Sequence, residues 1–219
     1  MKTQWRLFLA ALRFVTLRSA AALDSYDGVP VTNATRFVPL AGIVIGLAGA
    51  AVYWLGAQLW PTSIAVVLSM LAMVDLRMGE SGSLYRVFFV LIKYNALMAL
   101  SSAKIPLPLP EYFSLGLIMI CGQAASRALV VSVMATDLPV ALRISALDLG
   151  IALGLGLTPA ALLGGPGLVG LAAAIAVRMG QRAYPESLPL MGFMERLDIT
   201  QQLTELCFYL GALAAWRYV

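Results

Sequence analysis

The stretch FVPLAGIVIGLAGAAVYWLGAQLW, from Phe37 to Trp60, decides the fold class of this protein. It contains no charged side chain, and about 20 consecutive apolar residues are enough for a helix to cross a bilayer. Gly42 and Gly46 lie about one helical turn apart, a spacing of small residues that lets a neighbouring helix approach closely. Pro61 follows directly and ends or kinks the helix. The stretch therefore predicts a membrane-spanning helix that packs closely on another helix.

The composition of the whole chain agrees with this prediction. Of 219 residues, 61% are hydrophobic and 12% are charged, whereas about 25% are charged in an ordinary soluble domain. The apolar residues form continuous runs and do not alternate with polar ones as in a membrane β-barrel. We therefore expect an all-α, polytopic integral membrane protein.

The other apolar segments predict six to seven membrane helices, some of them short or broken. Residues 62–74 are too few for a full span. Residues 149–177 are split by GGPG at 164–167, which indicates a broken helix or two short ones. A polar loop is expected at 178–202. The remaining predicted segments are 84–103, 113–135 and 203–219.

The amino terminus differs from these spans, because arginines interrupt its apolar residues. Residues 1–22 predict a helix lying in the membrane interface, followed by a transmembrane bundle at 37–219, all in a single membrane domain of residues 1–219. Residues 1–36 carry five basic and two acidic side chains. The positive-inside rule places this end in the cytoplasm, so we expect a multi-pass protein of the cell inner (cytoplasmic) membrane.

The residue types also restrict the chemistry. The chain has no histidine, and its two cysteines lie within apolar segments without metal-ligand spacing. Zinc, haem and copper sites of the usual kinds and a Ser-His-Asp triad are therefore not expected. The net charge of +4 comes from scattered basic residues, so no nucleic acid partner is predicted. Carboxylates, Arg, Lys, hydroxyls and an oxygen-bound ion such as Mg²⁺ remain.

Among the charged side chains inside apolar segments, three are candidate site residues, since a charge at a helix centre costs about 2.5–3.5 kcal/mol on insertion scales. Arg127 is the deepest, and it either bonds backbone carbonyls of a broken helix or binds an anion with its planar guanidinium. Lys93 either extends to the interface along its flexible stem or serves a site. Glu205 either helps to start the last helix or binds a metal or proton.

Four stretches in order along the chain resemble the cobalamin synthase family, the adenosylcobinamide-GDP ribazoletransferases. DLRMGESG matches the family motif D-S-R-x-G-x-x-G at Asp75, Arg77, Gly79 and Gly82, and Lys93 falls at the lysine of the helix that follows. RFVPLAGIVIGLAGA looks like the family's first glycine-rich span. ASRALVV resembles its Ser-Arg helix at Ser126 and Arg127, and QQLTELCFYLGAL resembles its closing segment.

The resemblance implies a membrane phosphotransferase of cobalamin biosynthesis that joins α-ribazole (or its phosphate) to adenosylcobinamide-GDP and releases GMP, with Mg²⁺ as cofactor. Such chemistry depends on positioning and charge neutralisation. The site residues implied by the resemblance fall into three groups. Asp75, Arg77 and Lys93 would be catalytic; Gly79, Gly82, Ser126, Arg127 and Gln202 would bind substrate phosphates; Asp75, Glu205 and Asp198 would hold the metal.

The resemblance is to a divergent member of the family, because the chain lacks the family's upstream acidic motif H-L-D-G-L-A-D-x-x-D-G. Two alternatives therefore stay open beside the transferase. One is a non-catalytic relative that binds a corrinoid or a nucleotide-linked intermediate. The other is a small membrane transporter, since broken helices often line substrate sites. The sequence also leaves the oligomeric state open.

Overall fold

The computed structural model describes residues 2–17, 31–73, 84–103, 111–137, 144–183 and 192–217. Every regular element within these ranges is helical, as the all-α prediction requires. A short 3₁₀ turn, Thr35–Phe37, joins the second and third helices. The helices are α1 Lys2–Leu17, α2 Val31–Ala34, α3 Val38–Leu59, α4 Thr62–Met73, α5 Leu84–Ser102, α6 Glu111–Asp137, α7 Ala146–Leu162, α8 Gly165–Ala183 and α9 Phe193–Arg217.

Two helical segments among the described residues are long and apolar enough to cross a membrane, Thr35–Leu59 and Phe113–Asp137. The outer surface of the bundle is apolar as well. Large hydrophobic side chains on α3, α4, α5 and α7 are exposed, for example Leu55, Leu71, Phe88 and Leu162. An exposed apolar surface of this extent suits contact with lipid. These features support a membrane protein.

Helix α6 forms the centre of the bundle. Its apolar residues are almost completely covered, whereas α3 keeps one face exposed. Helix α3 packs along α6, and α8 packs along α9, with small residues at both contacts. Among lipid-embedded helices close packing replaces the hydrophobic effect as the main attraction. The glycines and alanines of these helices therefore determine which neighbours meet.

Helix α1 is amphipathic, and the protein itself covers its apolar face. Leu7, Ala11 and Phe14 are buried in an apolar cluster with residues of α3, α6 and α7, whereas Trp5 and Arg13 are exposed. The predicted interfacial helix of residues 1–22 is thus described as a helix from Lys2 to Leu17. Its position relative to the lipid stays a prediction.

The break expected at GGPG is confirmed. Helix α7 ends at Leu162 and α8 begins at Gly165. Between them Gly164 adopts a φ of 71°, a left-handed conformation that glycine reaches without steric cost. The apolar run of residues 149–177 therefore forms two helices joined by a tight turn.

The predicted start of the last helix is wrong. Helix α9 begins at Phe193 instead of residue 203, and α8 continues to Ala183, so much of the polar loop expected at 178–202 is helical. The prediction assigned these polar residues to a loop, but they lie in helices because other helices supply partners for their charged groups. Arg196, for example, pairs with Asp137 of α6 at 2.6 Å. Glu205 consequently lies in the middle of α9, and the interpretation that it starts the helix is also wrong.

Polar contacts hold the helix ends near the carboxyl terminus of α6. Arg178 of α8 donates to Ser132 and Thr136 of α6, each at 3.1 Å. Arg36 contacts Asp148, the carboxylate in the first turn of α7, at 3.5 Å. These contacts join α8 to α6 and the 3₁₀ turn before α3 to α7, so they help to fix how the helices are placed along one another.

Replacing Ser145 by alanine is expected to destabilise the protein by about 0.5–2 kcal/mol. Ser145 caps α7, since its hydroxyl accepts a hydrogen bond from the backbone N–H of Asp148 at 3.0 Å. Alanine leaves that N–H without its side-chain acceptor. Denaturation in detergent measures the loss, and Thr158→Ala is the control because its hydroxyl only bonds the carbonyl of Gly154 in its own helix. Equal stability of both variants would contradict the role of the cap.

Candidate functional site

A buried carboxylate, Glu205, is the centre of a polar network in the core of the bundle. Its Oε1 forms an ion pair with Nζ of Lys93 from α5 and accepts a hydrogen bond from Nε2 of Gln123 in α6 at 2.5 Å. The hydroxyl of Tyr209, one turn along α9, donates to the same oxygen at 2.9 Å. Glu205 is 1% exposed. A carboxylate withdrawn from water this far requires such partners.

Gln123 connects this carboxylate to a second cation. Nη1 of Arg127, one turn along α6, donates to the side-chain Oε1 of Gln123 and to its backbone carbonyl at 3.3 Å. The amide of Gln123 thus accepts from Arg127 and donates to Glu205. Arg127 is 1% exposed. The network therefore holds two cationic side chains and one carboxylate in the interior of the bundle.

Helix α3 approaches this network closely because of two glycines. A Cβ at Gly42 would lie 2.6 Å from the backbone oxygen of Gln123 and 2.8 Å from Cδ of Arg127. A Cβ at Gly46 would lie 2.6 Å from Cα of Ile120. Atoms cannot approach to these distances without displacement. The glycines of the first span therefore place α3 directly against Gln123 and Arg127.

The short helix α4 ends near the same level of the bundle. Its last residue, Met73, packs against Gly49 of α3. Gly49 is one turn from Gly46, about 4.5 Å along the helix axis. The D-x-R-x-G-x-x-G motif follows α4 in the sequence, but Asp75, Arg77, Gly79 and Gly82 lie outside the described residues. Their predicted roles stay predictions.

Lys93 is bound inside the bundle and does not extend along its stem to the interface. Its side chain is 13% exposed and pairs with Glu205, and Nζ lies 5.9 Å from the centre of the Tyr209 ring. The structure thus brings together three of the predicted site residues, Lys93, Arg127 and Glu205.

Two other predicted residues, Ser126 and Gln202, lie on the helices that carry this network, α6 and α9. Ser126 is buried, and its hydroxyl donates to the backbone carbonyl of Gln123 at 3.2 Å. Gln202 is half-buried, whereas its neighbour Gln201 is 2% exposed. Sequence reasoning assigned a phosphate-binding role to Gln202, but Gln201 is the residue that faces the interior. The roles of Ser126 and Gln202 stay predictions.

The described carboxylates do not form a magnesium site by themselves. Asp198 and Glu205 are two turns apart on α9, about 10 Å along the axis, whereas Mg²⁺ binds its oxygen ligands at about 2.1 Å. Within the described ranges, no group of three or more Asp, Glu, Cys or His side chains converges. The oxygen atom of Glu205 that contacts Lys93 also binds Gln123 and Tyr209.

Sequence reasoning did not assign Gln123 or Tyr209 to the site. A usable signal was present for each of them. Gln123 precedes Arg127 by four residues and Tyr209 follows Glu205 by four, and side chains at this spacing are neighbours on one face of a helix. Polar residues one helical turn from a buried charge are therefore candidate partners of that charge.

Comparisons with known proteins agree with the resemblance seen in the sequence. Residues 7–74 match the family model described as cobalamin-5-phosphate synthase. Three proteins named adenosylcobinamide-GDP ribazoletransferase are similar: 38% identity over 78 residues in Shewanella amazonensis, 43% over 74 in Leptothrix cholodnii and 36% over 69 in Shewanella frigidimarina.

These matches cover 36%, 34% and 32% of this chain and 30%, 28% and 26% of the respective relatives. The aligned part therefore spans less than a third of the length of these relatives. No solved structure matches the chain at a significant level. The resemblance to the cobalamin synthase family is confirmed in residues 7–74.

Proposed function

We propose that this chain, whose residues 7–74 match the cobalamin-5-phosphate synthase family, is a membrane phosphotransferase of cobalamin biosynthesis. It would join α-ribazole (or its phosphate) to adenosylcobinamide-GDP. An oxygen of α-ribazole or its phosphate forms a bond to the phosphorus attached to the corrinoid, and the bond from that phosphorus to GMP breaks. The similar proteins are named adenosylcobinamide-GDP ribazoletransferases, which supports this choice of the two substrates.

One observation carries the proposal: the matched segment packs on the cationic network. Gly42 and Gly46 belong to residues 7–74 and lie against Gln123 and Arg127. The segment that resembles a phosphate-handling family therefore contacts the buried side chains best suited to hold a phosphate. A guanidinium offers a planar fork of donors to phosphate oxygens.

The roles of the network residues follow from their charges and contacts. Arg127 would bind phosphate oxygens, and Lys93 would neutralise the charge that develops during transfer. Glu205 holds Lys93 in place through their ion pair. Gln123 holds both Arg127 and Glu205.

We also propose Mg²⁺ as the cofactor, although the described carboxylates by themselves do not provide enough ligands for the ion. The proposal depends on Asp75, which lies outside the described residues, together with Glu205 or Asp198. When bound, the ion would neutralise phosphate charge. We expect the chain to span the cell inner membrane with six to seven helices.

The direct test is turnover by the purified protein in lipid vesicles. Supplied with adenosylcobinamide-GDP and α-ribazole, the wild type is expected to release GMP and to form a joined corrinoid product. Arg127→Lys is expected to lower kcat by about 100-fold, a typical loss when one preorganised donor is removed, because lysine lacks the planar fork. Arg182→Lys is the matched control, since Arg182 is exposed near the end of α8.

Other outcomes would favour the alternatives. Binding of adenosylcobinamide-GDP without GMP release would support a non-catalytic relative. Passage of the corrinoid across the vesicle membrane without chemical change would support a transporter. Full activity of Arg127→Lys would contradict the phosphate-binding role of Arg127, even if the wild type is a transferase.

A further inference from the structure

Gln201 of α9 has a buried acceptor that the described part of the structure does not satisfy. The residue is 2% exposed, and its side-chain Oε1 accepts no hydrogen bond from any described group. Burying an amide oxygen without a donor is unfavourable. Most buried polar atoms in folded proteins have a partner. A residue that breaks this rule next to a polar network requires a physical explanation.

The register of the helices places Gln201 at the level of Arg127. Helices α6 and α9 run antiparallel, since Gln123 bonds Glu205 and Asp137, farther along α6, pairs with Arg196, farther back on α9. Starting at the Gln123–Glu205 contact and moving one helical turn toward the Asp137–Arg196 contact, one reaches Arg127 on α6. The same turn leads to Gln201 on α9.

The neighbouring hydroxyl groups are already occupied by backbone carbonyls. Thr204 donates to the carbonyls of Thr200 and Gln201 at 2.6 and 3.2 Å. Ser126 donates to the carbonyl of Gln123 at 3.2 Å. These side chains therefore do not direct their hydroxyl hydrogens to Oε1 of Gln201. A bound ligand with a hydroxyl group would supply the missing donor.

We propose that Oε1 of Gln201 accepts a hydrogen bond from a ribose hydroxyl of the substrate whose phosphate Arg127 binds. The inference rests on the transferase function proposed above. A ribose hydroxyl supplies the required donor and lies only a few bonds from a phosphate, so one ligand reaches both α6 and α9. Gln201 is thus a substrate-binding residue that recognises the sugar.

Two sources of this chemistry exist among the proposed substrates, and the test separates them. Calorimetry measures the binding of GMP and of α-ribazole 5′-phosphate, each with its 2′-deoxy analogue, to the full-length protein in detergent. The variants are Gln201→Leu and Gln201→Met, with Gln58→Leu as the matched control, since Gln58 is an exposed glutamine near the end of α3. Turnover of the wild type is measured in the same preparation.

We expect Gln201→Leu to weaken the binding of one ribose ligand by about tenfold, the loss that corresponds to one hydrogen bond. Removing the 2′-hydroxyl from that ligand is expected to weaken its binding to the wild type but not its binding to Gln201→Leu. The melting temperature of Gln201→Leu is expected to rise, because an apolar side chain leaves no buried acceptor unsatisfied. Gln58→Leu is expected to bind both ligands as the wild type does.

The inference is overturned if both Gln201 variants bind each ligand as the wild type does, and turnover by the wild type would then still support the transferase. It is also overturned if both Gln201 variants melt at a lower temperature than the wild type and still bind the ribose ligand more tightly than its 2′-deoxy analogue. Gln201 would then contribute to stability alone. A wild type that neither binds the ligands nor turns over overturns both proposals.

Discussion

Replacing Lys93 by methionine is expected to destabilise the protein by about 3–5 kcal/mol, the usual cost of removing one partner of a buried ion pair. The change leaves Glu205, whose side chain is 2% exposed, without its cation. Gln123 and Tyr209 still donate to the carboxylate but do not neutralise it. Thermal or chemical unfolding in detergent measures the loss, and transferase activity is expected to disappear with it.

A double substitution separates the ion pair from packing. Lys93→Met combined with Glu205→Leu is expected to be more stable than Lys93→Met alone, because apolar residues often replace a buried pair with little cost. Asn95→Ala is the control on the same helix, since Asn95 is exposed and bonds only the carbonyl of Leu91. Additive losses in the double variant would show that Lys93 and Glu205 are not coupled.

The second large effect is expected at Gly46. Gly46→Ala places a Cβ 2.6 Å from Cα of Ile120. The contact is with backbone, so α3 and α6 have to separate, and overpacking of this kind costs about 1–3 kcal/mol. The loss of transferase activity is expected to be larger than the loss of folded protein alone explains. The separation also displaces Gln123, which holds Arg127 and Glu205. Unfolding in detergent and turnover in vesicles measure the two effects.

Gly154→Ala is the matched control for this change. It is a glycine inside apolar helix α7, and a Cβ there meets no atom within 4 Å. Alanine restricts the unfolded chain and is expected to stabilise the protein by about 0.4–1 kcal/mol. A loss at Gly154 as large as the loss at Gly46 would contradict the close contact between α3 and α6.

The helices that the sequence predicts best are those with continuous apolar runs. The expected segments at 37–60 and 84–103 agree within about two residues with α3 and α5, and the break at Gly164 follows from GGPG. The start of α9 was missed by ten residues. Its first turns are polar, and their stability comes from partners on other helices, such as Asp137 for Arg196. Local hydropathy does not contain that information.

By itself the sequence determined the class of a helical, strongly apolar protein. It also identified three charged residues that lie within apolar segments, Lys93, Arg127 and Glu205. A charge among apolar residues is costly wherever its helix packs. Only the tertiary structure decided their partners. Lys93 and Glu205 meet although 112 residues separate them in the chain, and Gln123 and Gln201 matter because α6 and α9 face each other. Pairing depends on helix register and close approach, which arise from packing of the whole bundle.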